Sequence, residues 1–346
     1  MRGNAGITAG RRRVTGALLS SFAIGVLALA GAAAMGAAEQ QLPSVALPNP
    51  VAGIRQLPLL DPGGGPATAV PILVYHEMNN GCDPTAPVCS GKDPETVSTR
   101  QFAAEISWLY RSGHHAITLT QYLTWLRHPT VALPTRPILI TFDNGIENLL
   151  RGAQPILYRY RFTATAMIVT GFADGASHHC LSRQLQPGCY TDNRGWDATW
   201  PQLYQLSPRV YSFALEAGQY GHFVPPSRGC TAFYPCHSPA MVQSEIVRGT
   251  REARSHLGLR FSTAAWTVPY SDLGYHRCAQ SDCTPQNRNP WLVHYAARRF
   301  QAVFVEDASR NGIRHERFRM DINGRYTLSR FVTILNGFIS QGVFNR

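Results

Sequence analysis

The sequence of 346 residues is poor in lysine and in charge overall. Lys92 is its single lysine, the other 31 of its 32 basic residues are arginines, and charged residues make up 15% of the chain. Outside Arg11–Arg13 there is no run of three basic residues. Nucleic-acid binding is therefore disfavoured despite the net charge of +11, because such proteins cluster their basic residues. Apolar residues make up 44%, which excludes a largely disordered chain.

Two common signatures are also absent from the sequence. There is no G-x-S-x-G motif, which disfavours a serine hydrolase of the nucleophile-elbow type. None of the eight cysteines has the C-x-x-C spacing of a zinc ribbon or a redox motif. They fall instead into four close pairs, each around a short polar, Pro-rich or Gly-rich segment. We expect four local disulfides, with free thiols as the alternative: Cys82–Cys89, Cys180–Cys189, Cys230–Cys236 and Cys278–Cys283.

The first 38 residues have the three-part pattern of a secretory signal peptide. Arg2 and Arg11–Arg13 supply the positive charge, residues 17–34 are uncharged and largely apolar, and small residues follow up to Ala38. Since an apolar run of about 20 residues can also cross a bilayer, a retained anchor is the alternative. Removal of residues 1–38 would leave a net charge of +7. We therefore expect a secreted or cell-surface protein, whose mild basicity suits a cell wall or membrane surface.

The rest of the chain predicts one domain of alternating strands and helices. Residues 39–70 are rich in proline and glycine and are expected to form a linker, and residues 71–346 the catalytic domain. Continuous apolar strands separated by helices predict a parallel sheet covered on both faces. About seven such units favour an α/β fold of the distorted (β/α) barrel type, with a doubly wound open sheet as the alternative. The predicted strands are residues 71–75, 116–119, 137–142, 164–170, 210–215, 264–268 and 302–305.

Polar residues capable of chemistry follow several of these strands. His76 follows the first, Asp143 and Asn144 follow the third, and Glu216 follows the fifth, with His222 six residues later. In a parallel barrel, reactive side chains gather at the carboxyl ends of the strands. We therefore expect these residues to meet at one end of the barrel, which we call the mouth.

Five segments in order resemble the polysaccharide deacetylase family of the NodB-homology type. They are VPILVYHEM from Val70, the helix and strand from Phe102 to Leu119, LPTRPILITFDNG from Leu133, PILYRYRFTATAMIV from Pro155 and AAWTVPYSDLG from Ala264. The order matches the circularly rearranged branch, which contains exported poly-N-acetylglucosamine deacetylases. The resemblance implies a distorted barrel and metal-assisted removal of acetyl groups from an N-acetylated polysaccharide, with zinc or a similar divalent ion as cofactor.

The resemblance also implies roles for individual residues. The family's TFDDG motif falls on Thr141–Gly145, so Asp143 takes the place of the base. Asn144 stands where the family has an aspartate that binds the metal. His222 corresponds to one metal histidine, and Glu216 takes the place of the other. His76, in the early VYH motif, corresponds to the acid.

The VPY segment corresponds to the motif that supplies an oxyanion-binding N–H and a groove wall. This places Pro269 at the substrate and Tyr270 among the catalytic residues. Trp266 and Tyr220 are further candidates for stacking on sugar rings.

The two substituted metal positions leave alternatives. Asn144, Glu216 and His222 carry a summed ligand charge of −1, the same as Asp, His and His, so a metal site could persist. The same substitutions would also suit a catalytically inactive carbohydrate-binding protein. Glycosidase chemistry by the carboxylates of Asp143 and Glu216 is a further, weaker alternative. The polymer, the metal and the oligomeric state are not specified by the sequence.

Overall fold

The computed structural model describes residues 51–79, 94–145, 149–177, 197–218, 243–269, 290–306 and 316–344. The expected signal peptide, the four expected disulfides and three candidate site residues, Tyr220, His222 and Tyr270, lie outside these ranges. All of these described residues belong to one compact unit. No helix in the described part of the chain is long and apolar enough to cross a bilayer.

The strands follow the apolar runs of the sequence. They are β1 (Ile72–Tyr75), β2 (Glu77–Asn79), β3 (Thr96–Ser98), β4 (His115–Ala116), β5 (Pro137–Phe142), β6 (Ala164–Val169), β7 (Tyr211–Ala217), β8 (Phe261–Thr267), β9 (Ala302–Val305), β10 (Glu316–Phe318) and β11 (Met320–Asp321).

The helices alternate with the strands along the chain. They are α1 (Thr99–Arg111), α2 (Leu119–Arg127), α3 (Gln154–Tyr160), α4 (Thr170–Ser177), α5 (Trp200–Gln205), α6 (Gly249–Leu257), α7 (Pro290–Arg299) and α8 (Leu328–Ser340). Two π-helical turns, Leu149–Ala153 and Gln243–Arg248, precede α3 and α6.

The main sheet runs in the order β10-β9-β8-β7-β6-β5-β1-β11, and β4 pairs with β5. Every pairing between these strands is parallel. The strands form a nearly closed barrel with flanking helices, which confirms the predicted distorted (β/α) barrel. Eight strands follow one another around the sheet, close to the seven units expected.

The differences from the predicted elements are local. His115–Ala116 forms the short β4, and Leu119 already belongs to α2 because Thr118 caps that helix by accepting a hydrogen bond from the Gln121 N–H. β8 begins at Phe261, three residues before the predicted start. The strands β10 and β11, of three and two residues, were not predicted because such short segments show no period.

Alternating side chains of each strand enter two different cores. Leu73, Tyr75 and Phe142 belong to a cluster shared with residues of the outer helices, such as Phe102 of α1. Residues of opposite parity, including Ile72 of β1, belong to a second cluster on the other face of the strands. Because successive side chains of a strand point to opposite faces, this parity decides which residues at a strand end face the barrel interior.

Part of the segment expected to be a linker lies along the barrel. The N–H of Leu57 donates to the carbonyl of Arg159, and the N–H of Thr135 donates to the carbonyl of Pro62. Gly65 and Leu133 form an isolated antiparallel bridge. Residues 51–70 are thus joined to the domain by backbone hydrogen bonds.

Candidate active site

The mouth of the barrel gathers ionisable side chains from four strand ends. His76 follows β1, Asp143 follows β5, Glu216 lies near the end of β7 and Glu306 follows β9. All four are on the interior parity of their strands, so the fold directs them toward one another. One ligand atom from each of His76, Asp143 and Glu306 lies within 4.8 Å of the other two. The candidate acid His76 and the candidate base Asp143 thus lie together at the mouth.

Arg319 joins two of these carboxylates from the segment between β10 and β11. Its Nη1 donates to Asp143 Oδ1 at 2.5 Å and its Nη2 donates to Asp143 Oδ2 at 2.6 Å. Nη2 also donates to Glu306 Oε1 at 2.8 Å. A bidentate guanidinium fixes the orientation of a carboxylate, and both partners here are buried. Asp143 is therefore held in one position at the mouth.

His76 is surrounded by carboxylates. Its Nδ1 lies 3.5 Å from Asp321 Oδ1, and its Nε2 lies 3.7 Å from Glu306 Oε1. Burial would lower the pKa of His76, but Asp321, Glu306 and Asp143 outweigh it and raise the pKa well above its usual range. A histidine that stays protonated at neutral pH can donate a proton to a leaving amine.

Glu306 responds to the same surroundings. Burial raises its pKa to about 7, an effect opposed by the charges of His76 and Arg319 and reinforced by Asp143. The carboxyl group is a quarter exposed, so it is the more accessible of the two acids bound to Arg319. It can therefore exchange protons with solvent more readily than Asp143.

The turn after β5 is shaped by Asn144 and Glu216. Asn144 has a left-handed backbone with φ of 68°, a conformation that asparagine tolerates better than most residues. Its N–H donates to Glu216 Oε2 at 2.7 Å. Burial, reinforced by the charge of Asp143, raises the pKa of Glu216 well above its usual range. Two of the three candidate metal ligands thus lie together, beside Asp143.

The side chain of Asn144 presents an acceptor that can bind a cation. Its Oδ1 is buried and has no hydrogen-bond partner among the described residues. A buried polar oxygen without a partner is costly, and a ligand would relieve that cost. This observation fits the expected metal position, whose third candidate ligand, His222, lies outside the described ranges.

A metal at the His76–Asp143–Glu306 group is less consistent with the contacts. Both oxygens of Asp143 already accept hydrogen bonds from Arg319, which also binds Glu306. The guanidinium thus supplies the positive charge that a metal ion would bring to these carboxylates. We therefore place the candidate metal position at Asn144 and Glu216.

The candidate substrate residues have different surroundings. Trp266 is fully buried, its indole N–H donates to the Glu216 carbonyl at 2.8 Å, and its ring stacks on Phe300. It leaves no face for a sugar ring, so its role here is to support the end of β7. Pro269 is buried just beyond β8, while Tyr220 and Tyr270 fall outside the described residues.

Three residues of the mouth were missed by the sequence reasoning: Arg319, Glu306 and Asp321. Glu306 directly follows the predicted strand 302–305, so the strand-end rule would have found it. Arg319 and Asp321 belong to the short β10–β11 region, whose sequence ERFRMD has no clear strand pattern.

Comparison with known proteins finds similarity to deacetylases over part of the chain. No family model matches the chain. The poly-beta-1,6-N-acetyl-D-glucosamine N-deacetylase of Staphylococcus aureus is 33% identical over 128 residues, which are 36% of this chain and 43% of that protein. Over about a third of its length the chain is therefore similar to polysaccharide deacetylases. It spans less than half the length of the curated relatives it matches first.

Solved structures of deacetylases share the fold. The Streptococcus pyogenes deacetylase PplD in complex with acetate has a TM-score of 0.55 at 16% identity, over 77% of this chain and 98% of that one. A de-N-acetylase from Aggregatibacter actinomycetemcomitans has a TM-score of 0.55 at 15% identity, over 76% and 98% of the two chains. At these identities the likeness establishes the barrel and not the activity.

Proposed function

We propose that this protein is an exported hydrolase that removes N-acetyl groups from a cell-surface or extracellular polysaccharide by metal-assisted hydrolysis. The observation that carries the proposal is the meeting of His76 and Asp143 at the mouth of a deacetylase-like barrel. The relationship to a poly-N-acetylglucosamine deacetylase supports an N-acetylglucosamine polymer as the substrate class. The uncharged segment after Arg11–Arg13 supports export.

The candidate ligands for a divalent ion are Asn144, Glu216 and His222. The unpartnered Oδ1 of Asn144 and the adjacent Glu216 carboxylate support this choice. A bound zinc or similar ion would polarise the acetamide carbonyl and lower the pKa of a water molecule. Because Asn144 is a neutral ligand, we expect weaker binding than an aspartate would give at this position.

The side chains of the mouth supply the acid–base chemistry. Asp143, fixed by Arg319, accepts the proton of the attacking water. His76, kept protonated by the carboxylates around it, donates a proton to the departing amine. Pro269 and Tyr270 follow β8, where a backbone N–H would stabilise the oxyanion and a side chain would border the sugar.

Zinc content tests the metal part of the proposal. Purified protein equilibrated with zinc is expected to retain about one ion, Asn144→Asp to bind it more tightly, and His222→Ala to lose it. His128→Ala, which changes an exposed histidine after α2, is the matched control and should bind like the wild type. Asp143→Asn should keep zinc, since Asp143 is engaged by Arg319.

An inactive carbohydrate-binding protein is the competing function. It gains support if neither the wild type nor Asn144→Asp binds zinc, no acetate is released, and N-acetylglucosamine oligomers still bind. Zinc binding with acetate release would exclude it.

A further inference from the structure

Behind the mouth, a carboxylate is buried in an otherwise apolar layer. Glu105 of α1 is fully buried, beside the cluster that contains Phe102 and Phe142. Removing an ionisable group from water is costly unless hydrogen bonds compensate for it. Burial raises the pKa of Glu105 to about 7, against the hydrogen bonds that it accepts from Gln101 and Tyr75. Because burying this carboxylate is costly, its hydrogen-bond partners indicate what it holds in place.

Glu105 is hydrogen-bonded to β1 directly and, through Gln101, to the segment that follows β11. The hydroxyl of Tyr75 donates to Glu105 Oε2 at 3.0 Å. The Nε2 of Gln101 donates to Glu105 Oε1 at 2.9 Å and to the Asn323 carbonyl at 3.0 Å. Gln101 lies three residues after the cap residue Ser98, where the glutamine of a capping box would bind the backbone N–H of the cap residue, but its side chain makes these contacts instead. Both carboxylate oxygens therefore act as acceptors, and Glu105 together with Gln101 links α1 to two separate segments.

These two segments carry a pair of mouth residues. Tyr75 immediately precedes His76, and because side chains alternate along a strand, Tyr75 faces the helices while His76 faces the interior. Asn323 is two residues after Asp321, whose Oδ1 lies 3.5 Å from His76 Nδ1. β1 and β11 are parallel neighbours, with Val74 opposite Asp321. The network thus bridges the two strands immediately behind the His76–Asp321 contact.

We propose that Glu105 is a positioning residue that, through Tyr75 and Gln101, sets the alignment of Asp321 with His76. The consequence for catalysis rests on the proposed function, in which His76 is the acid, but the alignment can be measured without turnover. A glutamine at position 105 keeps only one side-chain acceptor, so it can accept from Gln101 but can face Tyr75 only by donating to its hydroxyl oxygen, and the carboxylate charge is lost. Loss of the alignment would weaken the support that Asp321 gives to the protonated imidazole.

Three variants each change one residue of the network. Tyr75→Phe removes one donor, Gln101→Met removes the amide while keeping the side-chain length, and Glu105→Gln replaces the acceptor. Tyr211→Phe is the matched control, because its hydroxyl is also buried, lies 3.5 Å from the Leu149 carbonyl, and its ring packs on Phe142 from β7. All four changes alter a polar group packed between the strands and the outer helices, but only the first three belong to the network behind His76.

The readouts are the NMR titration of the His76 imidazole, assigned with His76→Gln, and the kinetics of acetate release. We expect each network variant to lower the titration midpoint by about 0.5 pH unit or more. We also expect kcat to fall about tenfold with KM little changed. This loss is smaller than the one typical of removing a general acid, because the imidazole itself stays in place. Tyr211→Phe should leave both the midpoint and kcat at their wild-type values.

The proposal is overturned if the folded network variants titrate and turn over as Tyr211→Phe does, because Glu105 would then be only structural. Should Glu105→Gln not fold, Tyr75→Phe and Gln101→Met decide the question by the same readouts. If the wild type releases no acetate, the proposed function fails while the titration still tests the alignment.

Discussion

Two buried histidines at opposite ends of the barrel have opposite acid–base properties. His76 lies at the carboxyl end of β1 among three carboxylates, which raise its pKa. His114 precedes β4, which pairs with the first residues of β5, and burial together with the charge of Arg136 lowers its pKa to about 4. Both are less than a tenth exposed. The difference shows that neighbouring charge, more than burial, decides which histidine can act as an acid at neutral pH.

The contrast extends to the hydrogen bonds of the two rings. The Nδ1 of His114 lies 2.9 Å from the Ser112 hydroxyl, and its ring lies against Trp108. These neighbours satisfy a neutral ring, so His114 is part of the packing. His76 instead faces Asp321 and Glu306. The amino end of the barrel therefore holds a histidine packed in the neutral state, and the carboxyl end holds one surrounded by carboxylates.

The largest effect is expected from removing the cation that compensates the acids of the mouth. Arg319→Met would leave the buried Asp143 without its bidentate partner and should lower the free energy of unfolding by roughly 3–5 kcal/mol. Arg317→Met, which loses a hydrogen bond to the neighbouring Glu316 carbonyl, is the control. Its free energy of unfolding, measured by urea denaturation, should change by under about 1 kcal/mol. Similar losses of unfolding free energy in both variants would show that the bidentate contact of Arg319 with Asp143 gives no specific stabilisation.

The next effect separates the two histidines by activity and by pH. His76→Gln should reduce acetate release by roughly a hundredfold or more, because the departing amine loses its proton donor.

Since the folded pKa of His76 is raised, the contribution of His76 to stability is fully present below about pH 6.5 and is lost as the pH rises through the folded pKa. Denaturation midpoints above pH 6.5 should therefore fall less steeply in His76→Gln than in the wild type. An unchanged slope would contradict the raised pKa.

The smallest effect is confined to acid and has the opposite sign. His114 is neutral when folded, so its contribution is present above about pH 6.5 and is lost as the pH falls toward 4. The loss amounts to at most about 3 kcal/mol at the lower limit. His114→Gln should flatten this part of the stability curve while acetate release at pH 7 stays near the wild-type rate. A loss of activity at pH 7 in His114→Gln would contradict a purely structural role for the histidine at the amino end of the barrel.

Much of this arrangement could be predicted from the sequence because strand ends are marked by changes of polarity. PILVY before His76 and PILITF before Asp143 are continuous apolar runs, and both strands form where they were predicted. The positions of His76, Asp143 and Glu216 on one face follow from strand parity. That Asp143 pairs with Arg319, 176 residues away, could not be predicted, because neither local propensity nor periodicity encodes a partner at that separation.

The helix cap before α1 shows a second limit. Ser98 accepts a hydrogen bond from the Gln101 N–H, as the general preference for serine at a helix N-cap would indicate. The side chain of Gln101 binds Glu105 and the Asn323 carbonyl, because the fold brings a buried carboxylate within its reach. The local rule identified the helix start but not the tertiary contact that competes for the glutamine.

Acetate release from a defined N-acetylglucosamine oligomer tests the central claim most directly. With zinc present, the wild type is expected to release acetate and Asp143→Asn to be slower by a factor of about a hundred or more. Asp174→Asn, which changes a buried aspartate bonded to the Trp200 indole, should remain near the wild-type rate. No release by the wild type, or equal rates for Asp143→Asn and the wild type, would contradict a deacetylase site at the mouth of this barrel.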